Sequence, residues 1–304
     1  VGPPSADPAK HTREGSRQAV RARGPNNHAS TKPNLDAQRP AAGAKASHPG
    51  KPGPSERLLL RDSPGGDVER QRRSVARVEP GDEVVMIEPL YDCYLPMVRR
   101  AGGVPKLVRI EPPNWELPRD ALAEAFSDKT KLILLNSPHN PAAKVFNADE
   151  LQFIADLVQK HDAYAVCDEV YEHLVFDGQP HIPLMTLDGM RERCVRIGSA
   201  GKTFSMTSWK VGYMTAPAHL LGAISKAHQF VTFTTPSCLQ RAVAAGLEYD
   251  DSYFAGLSAQ QQSKRDRIAG ALEAAGFETL KTEGTYFLSV DIRTVGFEGD
   301  DAQF

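Results

Sequence analysis

The stretch that decides the fold is Lys131-Leu-Ile-Leu-Leu-Asn-Ser-Pro-His-Asn-Pro141, an apolar run that ends in a polar turn. Its first six residues predict a buried β-strand, because a short apolar run bounded by turn residues is typical of a strand covered on both faces. Two further stretches also consist of an apolar run followed by polar residues. Tyr164-Ala-Val-Cys-Asp168 continues into Glu-Val-Tyr171, and Cys194-Val-Arg-Ile197 continues into Gly198-Ser-Ala-Gly-Lys202. In open α/β sheets ligands bind at the carboxyl ends of the strands, so these polar segments are candidate site residues.

Outward from these stretches, strand patterns alternate with helix patterns. Strands are predicted at 83–87, 105–110, 131–136, 164–168, 194–197, 211–215 and 286–292. Helices are predicted at 95–101, at 117–126, after a capping-box pattern at Asn147, and at 252–275. The alternation predicts an α/β fold with a mainly parallel sheet covered by helices.

The near-neutral net charge of -2 hides two different segments. Residues 1–77 carry 15 Lys and Arg against 7 Asp and Glu, contain no aromatic residue, and are rich in Pro, Arg and Gly. Residues 78–304 carry a net charge of -10. The first segment has too little apolar surface to offset its chain entropy, so we expect 1–77 to be disordered or aberrant. Its scattered acidic residues argue against a nucleic-acid-binding tail.

Several classes of protein are disfavoured by composition. No run of about 18 apolar residues is present, so we predict no membrane span. No apolar signal segment opens the chain, and the cysteines are widely spaced, which fits a reducing cytoplasm and no metal site. Ser199-Ala-Gly-Lys-Thr203 resembles the end of a phosphate-binding loop, but Arg196 stands where that motif requires its first Gly.

Each polar residue of the candidate site has an ordinary structural explanation when taken singly. Asp168 could cap a helix, Asn140-Pro141 could be a simple turn, and Tyr91 could be a core aromatic. Lys202 and Lys210 could be solvated surface charges. The combination is more specific than any one of them.

The combination resembles the fold-type I, class I aminotransferases that use pyridoxal phosphate (PLP), in the branch of kynurenine–oxoglutarate and glutamine–phenylpyruvate transaminases. The matching stretches are Glu88-Pro-Leu-Tyr-Asp-Cys-Tyr94, Asn136-Ser-Pro-His-Asn-Pro141, Asp168-Glu-Val-Tyr171, Gly198-Ser-Ala-Gly-Lys-Thr-Phe-Ser-Met-Thr-Ser-Trp-Lys-Val-Gly-Tyr213 and Gly284-Thr-Tyr-Phe287. The resemblance implies a large PLP-binding domain at 78–250, then a linking helix and the start of a small α+β domain at 251–304.

The resemblance also implies a role for each site residue. Lys202 would form the Schiff base with PLP and then move a proton as general base. Asp168 would pair with the protonated pyridine nitrogen, and Tyr171 and Asn140 would hydrogen-bond the ring's 3′ oxygen. Tyr91 would stack on the ring. The phosphate would be held by Ser199 and Lys210.

The implied reaction moves an amino group from an amino acid to a 2-oxo acid, in a cytoplasmic homodimer. Cysteine-conjugate β-lyase chemistry is the alternative on the same fold. The family's N-terminal arm, its phosphate-binding turn and its substrate-binding Arg are not readable in this sequence. We therefore also consider a catalytically impaired fragment, with 1–77 as an out-of-frame translation of GC-rich coding DNA.

Overall fold

The computed structural model describes residues 78–299 and 301–304, so the expectation for 1–77 lies outside the described residues. Six strands form one sheet. They are β1 (Glu83–Glu88), β2 (Val104–Arg109), β3 (Thr130–Asn136), β4 (Tyr164–Asp168), β5 (Cys194–Ser199) and β6 (Gly212–Thr215). Their order is β2-β1-β3-β4-β5-β6, and only β6 runs antiparallel to its neighbour. The predicted mainly parallel α/β sheet is confirmed.

Seven helices connect or follow these strands in the described part of the chain. They are α1 (Tyr94–Arg100), α2 (Arg119–Ala125), α3 (Ala148–Lys160), α4 (Ala200–Thr203), α5 (Ala218–Val231), α6 (Ser237–Leu247) and α7 (Asp251–Ala274). Short 3-10 turns lie at Leu184–Thr186, Thr207–Trp209 and Ile292–Val295. A small antiparallel pair, β7 (Glu278–Thr279) and β8 (Val290–Asp291), follows α7. None of the helices among these residues is long and apolar enough to cross a membrane.

The sheet separates two apolar layers because neighbouring strand residues point to opposite faces. On β1, Val84 and Met86 pack in one cluster and Val85 and Ile87 in the other. The larger cluster includes Ile133 and α3, whose apolar side chains are buried. The continuous apolar strands are explained by this burial on both faces.

The start of α3 is fixed by the predicted capping box. The Asn147 side chain accepts a hydrogen bond from the Glu150 backbone N–H at 2.9 Å, and the Glu150 carboxylate accepts one from the Asn147 N–H at 3.0 Å. Two N–H groups that have no partner within the helix are thereby satisfied. From this start, the apolar face of α3 packs in the same cluster as Ile133 and Leu135 of β3.

The predicted strand at 286–292 is wrong. Only Val290–Asp291 forms a strand, and Tyr286 to Leu288 lie in an irregular segment. Thr285, just before it, has a φ of 67°, and this left-handed backbone interrupts an extended chain. The predicted helix at 252–275 is confirmed as α7, although no residue of it is buried.

Ile154 provides a stability test of the α3–sheet packing. Because its side chain is fully buried, Ile154→Ala is expected to lower the free energy of unfolding by about 2–5 kcal/mol in urea denaturation. The matched control is Ile268→Ala on α7, where the side chain is half exposed and the expected change is within about 0.5 kcal/mol. Equal losses in the two variants would contradict this packing.

Candidate active site

The candidate site lies at the carboxyl ends of β3, β4 and β5. Asn136 pairs in register with Asp168, and Asp168 pairs in register with Ile197 on β5. The chain leaves β5 at Ser199 and turns directly into α4, which carries Lys202. Parallel pairing therefore brings the three polar segments to one edge of the sheet, as the sequence predicts.

Asp168 is a partly buried carboxylate with two hydrogen bonds. Its Oδ2 accepts from the Tyr94 hydroxyl at 2.5 Å, and its Oδ1 accepts from the Val170 N–H at 3.3 Å. Burial raises the pKa of Asp168 above its ordinary value, and the two hydrogen bonds only partly oppose that rise. No helix follows Asp168, so it is not a helix cap.

The Tyr94 hydroxyl stays protonated and donates its hydrogen bond to Asp168. Burial first, and then the negative charge of Asp168, raise the pKa of the Tyr94 phenol far above its usual range. The phenol therefore stays a donor at any physiological pH. A fixed donor on one carboxylate oxygen orients the Asp168 group at the end of β4.

Lys202 lies beside two aromatic rings that contact each other. Its Nζ is 5.3 Å from the ring centre of Tyr171 and 5.1 Å from that of Tyr286, and it donates a hydrogen bond to the Tyr286 hydroxyl. The Lys202 charge also acts on Asp168, where it favours the ionised carboxylate. Lys202 is thus held within an aromatic and acidic cluster rather than being a freely solvated surface charge.

The other predicted residues are arranged around this cluster. The backbone N–H of Asn140 donates to Asn136 Oδ1 at 2.6 Å, and Asn136 Nδ2 donates to the Asp168 carbonyl at 2.8 Å. The ring of Tyr91 meets that of Tyr94 edge-on at 5.5 Å and is 42% exposed, so Tyr91 is not a core aromatic. Its ring remains partly accessible to solvent.

Backbone pairing of neighbouring residues brings the chain segments of Ser199 and Lys210 side by side. Ser199 pairs with Gly212 on β6, and the Ala200 N–H donates to the Val211 carbonyl at 3.2 Å. The loop that carries Lys210 therefore passes beside Ser199. Lys210 is exposed and has a φ of 55°, which turns the chain sharply before β6. The sequence could not predict this turn, because a left-handed lysine has no local signal.

A charged network lies next to the site. Arg196 on β5 donates through Nε to Glu169 Oε2 at 2.6 Å and contacts Glu172 through Nη2. The Tyr213 hydroxyl donates to Glu172 Oε1 at 2.9 Å. The ring of Tyr213 covers Gly198 so closely that a Cβ there would lie 2.3 Å from it. These contacts tie the turn after β4, which carries Tyr171, to β5 and β6.

Sequence reasoning gave no role in the site to Tyr94, Tyr286 or Arg196, although all three lie within the quoted stretches. For Arg196 a signal existed, since a charged residue within an apolar strand requires a buried partner. Tyr94 and Tyr286 offered no such signal, because their partners are distant in sequence. Within residues 78–299 and 301–304, no group of three His, Cys, Asp or Glu could hold a metal ion.

The buried charge of Asp168 gives a pH-dependent prediction. Its raised pKa means that the folded chain binds this proton more tightly, so stability is lost as the pH rises through the folded pKa. Asp168→Asn keeps an acceptor for Tyr94 and is expected to raise the free energy of unfolding of the cofactor-free chain at neutral pH. The gain should vanish near about pH 3, below the ordinary carboxyl pKa.

Urea denaturation at both pH values measures this difference. The control is Asp128→Asn, which changes an exposed carboxylate outside the cluster. A gain of equal size at both pH values would show that the effect does not come from the Asp168 charge.

Comparison with known proteins identifies the family. The family model described as "Aminotransferase class I and II" matches residues 71–303. A curated relative, kynurenine–oxoglutarate transaminase from Dictyostelium discoideum, is 43% identical over 245 residues, which are 74% of this chain and 56% of that protein.

Two solved structures have the same fold. N-succinyldiaminopimelate aminotransferase from Mycobacterium tuberculosis has a TM-score of 0.72 and 40% identity, covering 75% of this chain and 59% of that one. YbdL from Escherichia coli, described with a methionine aminotransferase function, has a TM-score of 0.72 and 37% identity over the same shares. The chain spans under three-fifths of the length of these relatives. It belongs to the class I and II aminotransferases, PLP-dependent proteins of the type I α/β fold.

Proposed function

We propose that this chain carries the cofactor-binding part of a PLP-dependent aminotransferase, which moves an amino group from an amino acid to a 2-oxo acid. The observation that carries the proposal is the position of Lys202 Nζ beside the rings of Tyr171 and Tyr286, where its charge acts on the partly buried Asp168 carboxylate. A primary amine beside such a carboxylate matches the aldehyde and the pyridine nitrogen of PLP. Membership of a PLP-dependent family supports this assignment.

The side chains available fit the rest of the cofactor. Tyr171 and Asn140 supply hydrogen-bond groups for the ring's 3′ oxygen, and Tyr91 supplies an accessible ring face. Ser199 and Lys210 supply a hydroxyl and a positive charge for the phosphate, on chain segments that run side by side. The carboxylate thus matches the pyridine nitrogen of PLP and the amine matches its aldehyde. The phenol matches the 3′ oxygen, and the cation matches the phosphate.

Each residue then has a defined task in the reaction. When bound, PLP supplies the electron sink for the carbanion at the substrate's Cα. Asp168, oriented by Tyr94, holds the proton on the pyridine nitrogen and keeps that ring cationic. Lys202 would hold the cofactor through Nζ, and as a free amine it would move a proton on Nζ as general base.

The domain assignment from the sequence is part of this proposal. Residues 78–250 form the large PLP-binding domain, and 251–304 form the linking helix and the start of the small domain. This division is supported by α7, which starts at Asp251 and is followed by the separate β7–β8 pair.

A location in a reducing compartment, the cytoplasm, is supported by the four free cysteines, of which Cys167 and Cys194 are buried beside one another.

A homodimer is supported by exposed apolar side chains at the end of α5. Phe230 and Phe233 are 87% and 76% exposed, and Val231 between them is 84% exposed. Phe233 also has a φ of 66°, an uncommon backbone for an aromatic residue. Contiguous exposed apolar side chains of this kind mark an association surface.

Lys202→Ala tests the cofactor assignment. The variant is expected to lose the visible absorbance of lysine-bound PLP and to lose transamination, because no amine remains to hold the cofactor or to carry the proton. Absorbance after addition of PLP measures the first effect, and 2-oxo acid production measures the second. The control is Lys226→Ala, an exposed lysine on α5, which should keep the absorbance. Visible absorbance in Lys202→Ala equal to that of the parent would refute the assignment.

The pair Phe230→Ser and Phe233→Ser tests the dimer. Removing this apolar surface is expected to convert dimers to monomers in sedimentation velocity experiments. The control is Ile268→Ser on α7, another half-exposed apolar residue, which should leave the dimer intact. A dimer of unchanged stability in the double variant would exclude this surface as the interface.

A further inference from the structure

Tyr286 is the remaining group in contact with the proposed catalytic amine. Lys202 Nζ donates a hydrogen bond to the Tyr286 hydroxyl, and no other side-chain oxygen among the described residues is recorded as accepting from this amine. Tyr286 is 50% exposed, whereas the neighbouring Tyr171 is only 3% exposed. Tyr286 is therefore the more accessible of the two rings that lie beside Nζ.

The Tyr286 oxygen accepts the hydrogen bond from Lys202 Nζ, and the Tyr286 ring meets that of Tyr171 edge-on at 5.3 Å. Burial raises the pKa of Tyr286, but its interactions with Lys202 and Tyr171 outweigh burial and lower this pKa overall. The Lys202 amine places positive charge density against the phenol oxygen, which suits an acceptor for an ammonium group.

The segment that carries Tyr286 is fastened to both neighbouring loops. The Thr285 N–H donates to the Leu174 carbonyl at 2.8 Å, and the Gly284 N–H donates to the Ala143 carbonyl at 3.1 Å. A Cβ at Gly284 would lie 2.6 Å from the Leu174 carbonyl, so only glycine permits this approach. Leu174 follows Tyr171 closely and Ala143 follows Asn140, so the phenol position is fixed relative to the site.

We propose that Tyr286 is a positioning residue for Lys202, holding Nζ at the Tyr286 hydroxyl whenever the amine is not attached to the cofactor. The inference rests on the proposed function, in which Lys202 is the amine that binds PLP and moves the proton. A lysine side chain has four carbons and considerable rotational freedom. Acceptance by a fixed phenol oxygen restricts that freedom, so the amine returns to one place after each release.

The first experiment titrates the phenols of the cofactor-free chain by tyrosinate absorbance. All eight tyrosines lie within the described residues, and the tyrosine that ionises at the lowest pH is expected to be Tyr286. Tyr286→Phe should remove this step while keeping the ring, and Lys202→Met should move it to higher pH because the ammonium is gone. Tyr249→Phe, a half-exposed tyrosine packed on Phe204, should leave it unchanged. A lowest step that survives in Tyr286→Phe, or stays in place in Lys202→Met, would overturn the contact.

The second experiment follows PLP attachment to the cofactor-free chain by visible absorbance. Tyr286→Phe is expected to slow attachment about tenfold, the lower end of what one hydrogen bond to a charged group contributes. The final absorbance should stay close to the parental value, because Lys202 is still present. Tyr249→Phe should attach PLP at the parental rate.

Lys202→Met separates the two hypotheses. If this variant keeps the visible absorbance, the proposed function fails and the positioning role fails with it. If Lys202→Met loses the absorbance while Tyr286→Phe attaches PLP at the parental rate, only the positioning role is overturned. A slowed Tyr286→Phe with an absorbance that depends on Lys202 supports both.

Discussion

The hydrogen bond from Tyr94 to Asp168 is the interaction on which the rest of the site depends. It joins the first residue of α1 to the last residue of β4 at 2.5 Å, and it holds a carboxylate whose burial disfavours its charge. A buried carboxylate is costly unless donors face it, so the phenol allows this charge to exist inside the fold. The charge in turn acts on Lys202. The buried Asp168 carboxylate thus lowers the stability of the fold at the place where a cofactor nitrogen would be bound.

Further contacts hold Asp168 and the turn after it in place. Asn136 on the neighbouring strand binds the Asp168 carbonyl, and the Arg196 network fastens the turn that begins at Asp168. Arg196 lies between two glutamates, so its positive charge is compensated rather than left unpaired. Strand register, side-chain amides and ion pairs together hold Asp168 and Tyr171 in fixed positions. A rigid scaffold of this kind is what a cofactor site needs.

Much of the site could be predicted from the sequence, because strand-then-polar patterns place chemistry at the carboxyl edge of a parallel sheet. Lys202, Asp168, Tyr171 and Tyr91 lie together, and Asn140 is linked to them through Asn136. The predicted strand at 286–292 failed because apolar composition does not reveal a left-handed backbone at Thr285. That irregular backbone is what presents the Tyr286 hydroxyl to Lys202.

The sequence by itself determined the α/β alternation, the mainly parallel character of the sheet and the identity of the polar residues that end its strands. Local periodicity and turn chemistry suffice for this, because they act over a few neighbouring residues. Only the tertiary structure decided which partners those residues acquire. Tyr94 reaches Asp168 across 74 positions and Tyr286 reaches Lys202 across 84. Contacts over such separations are set by sheet order and loop anchoring, and a linear pattern does not contain them.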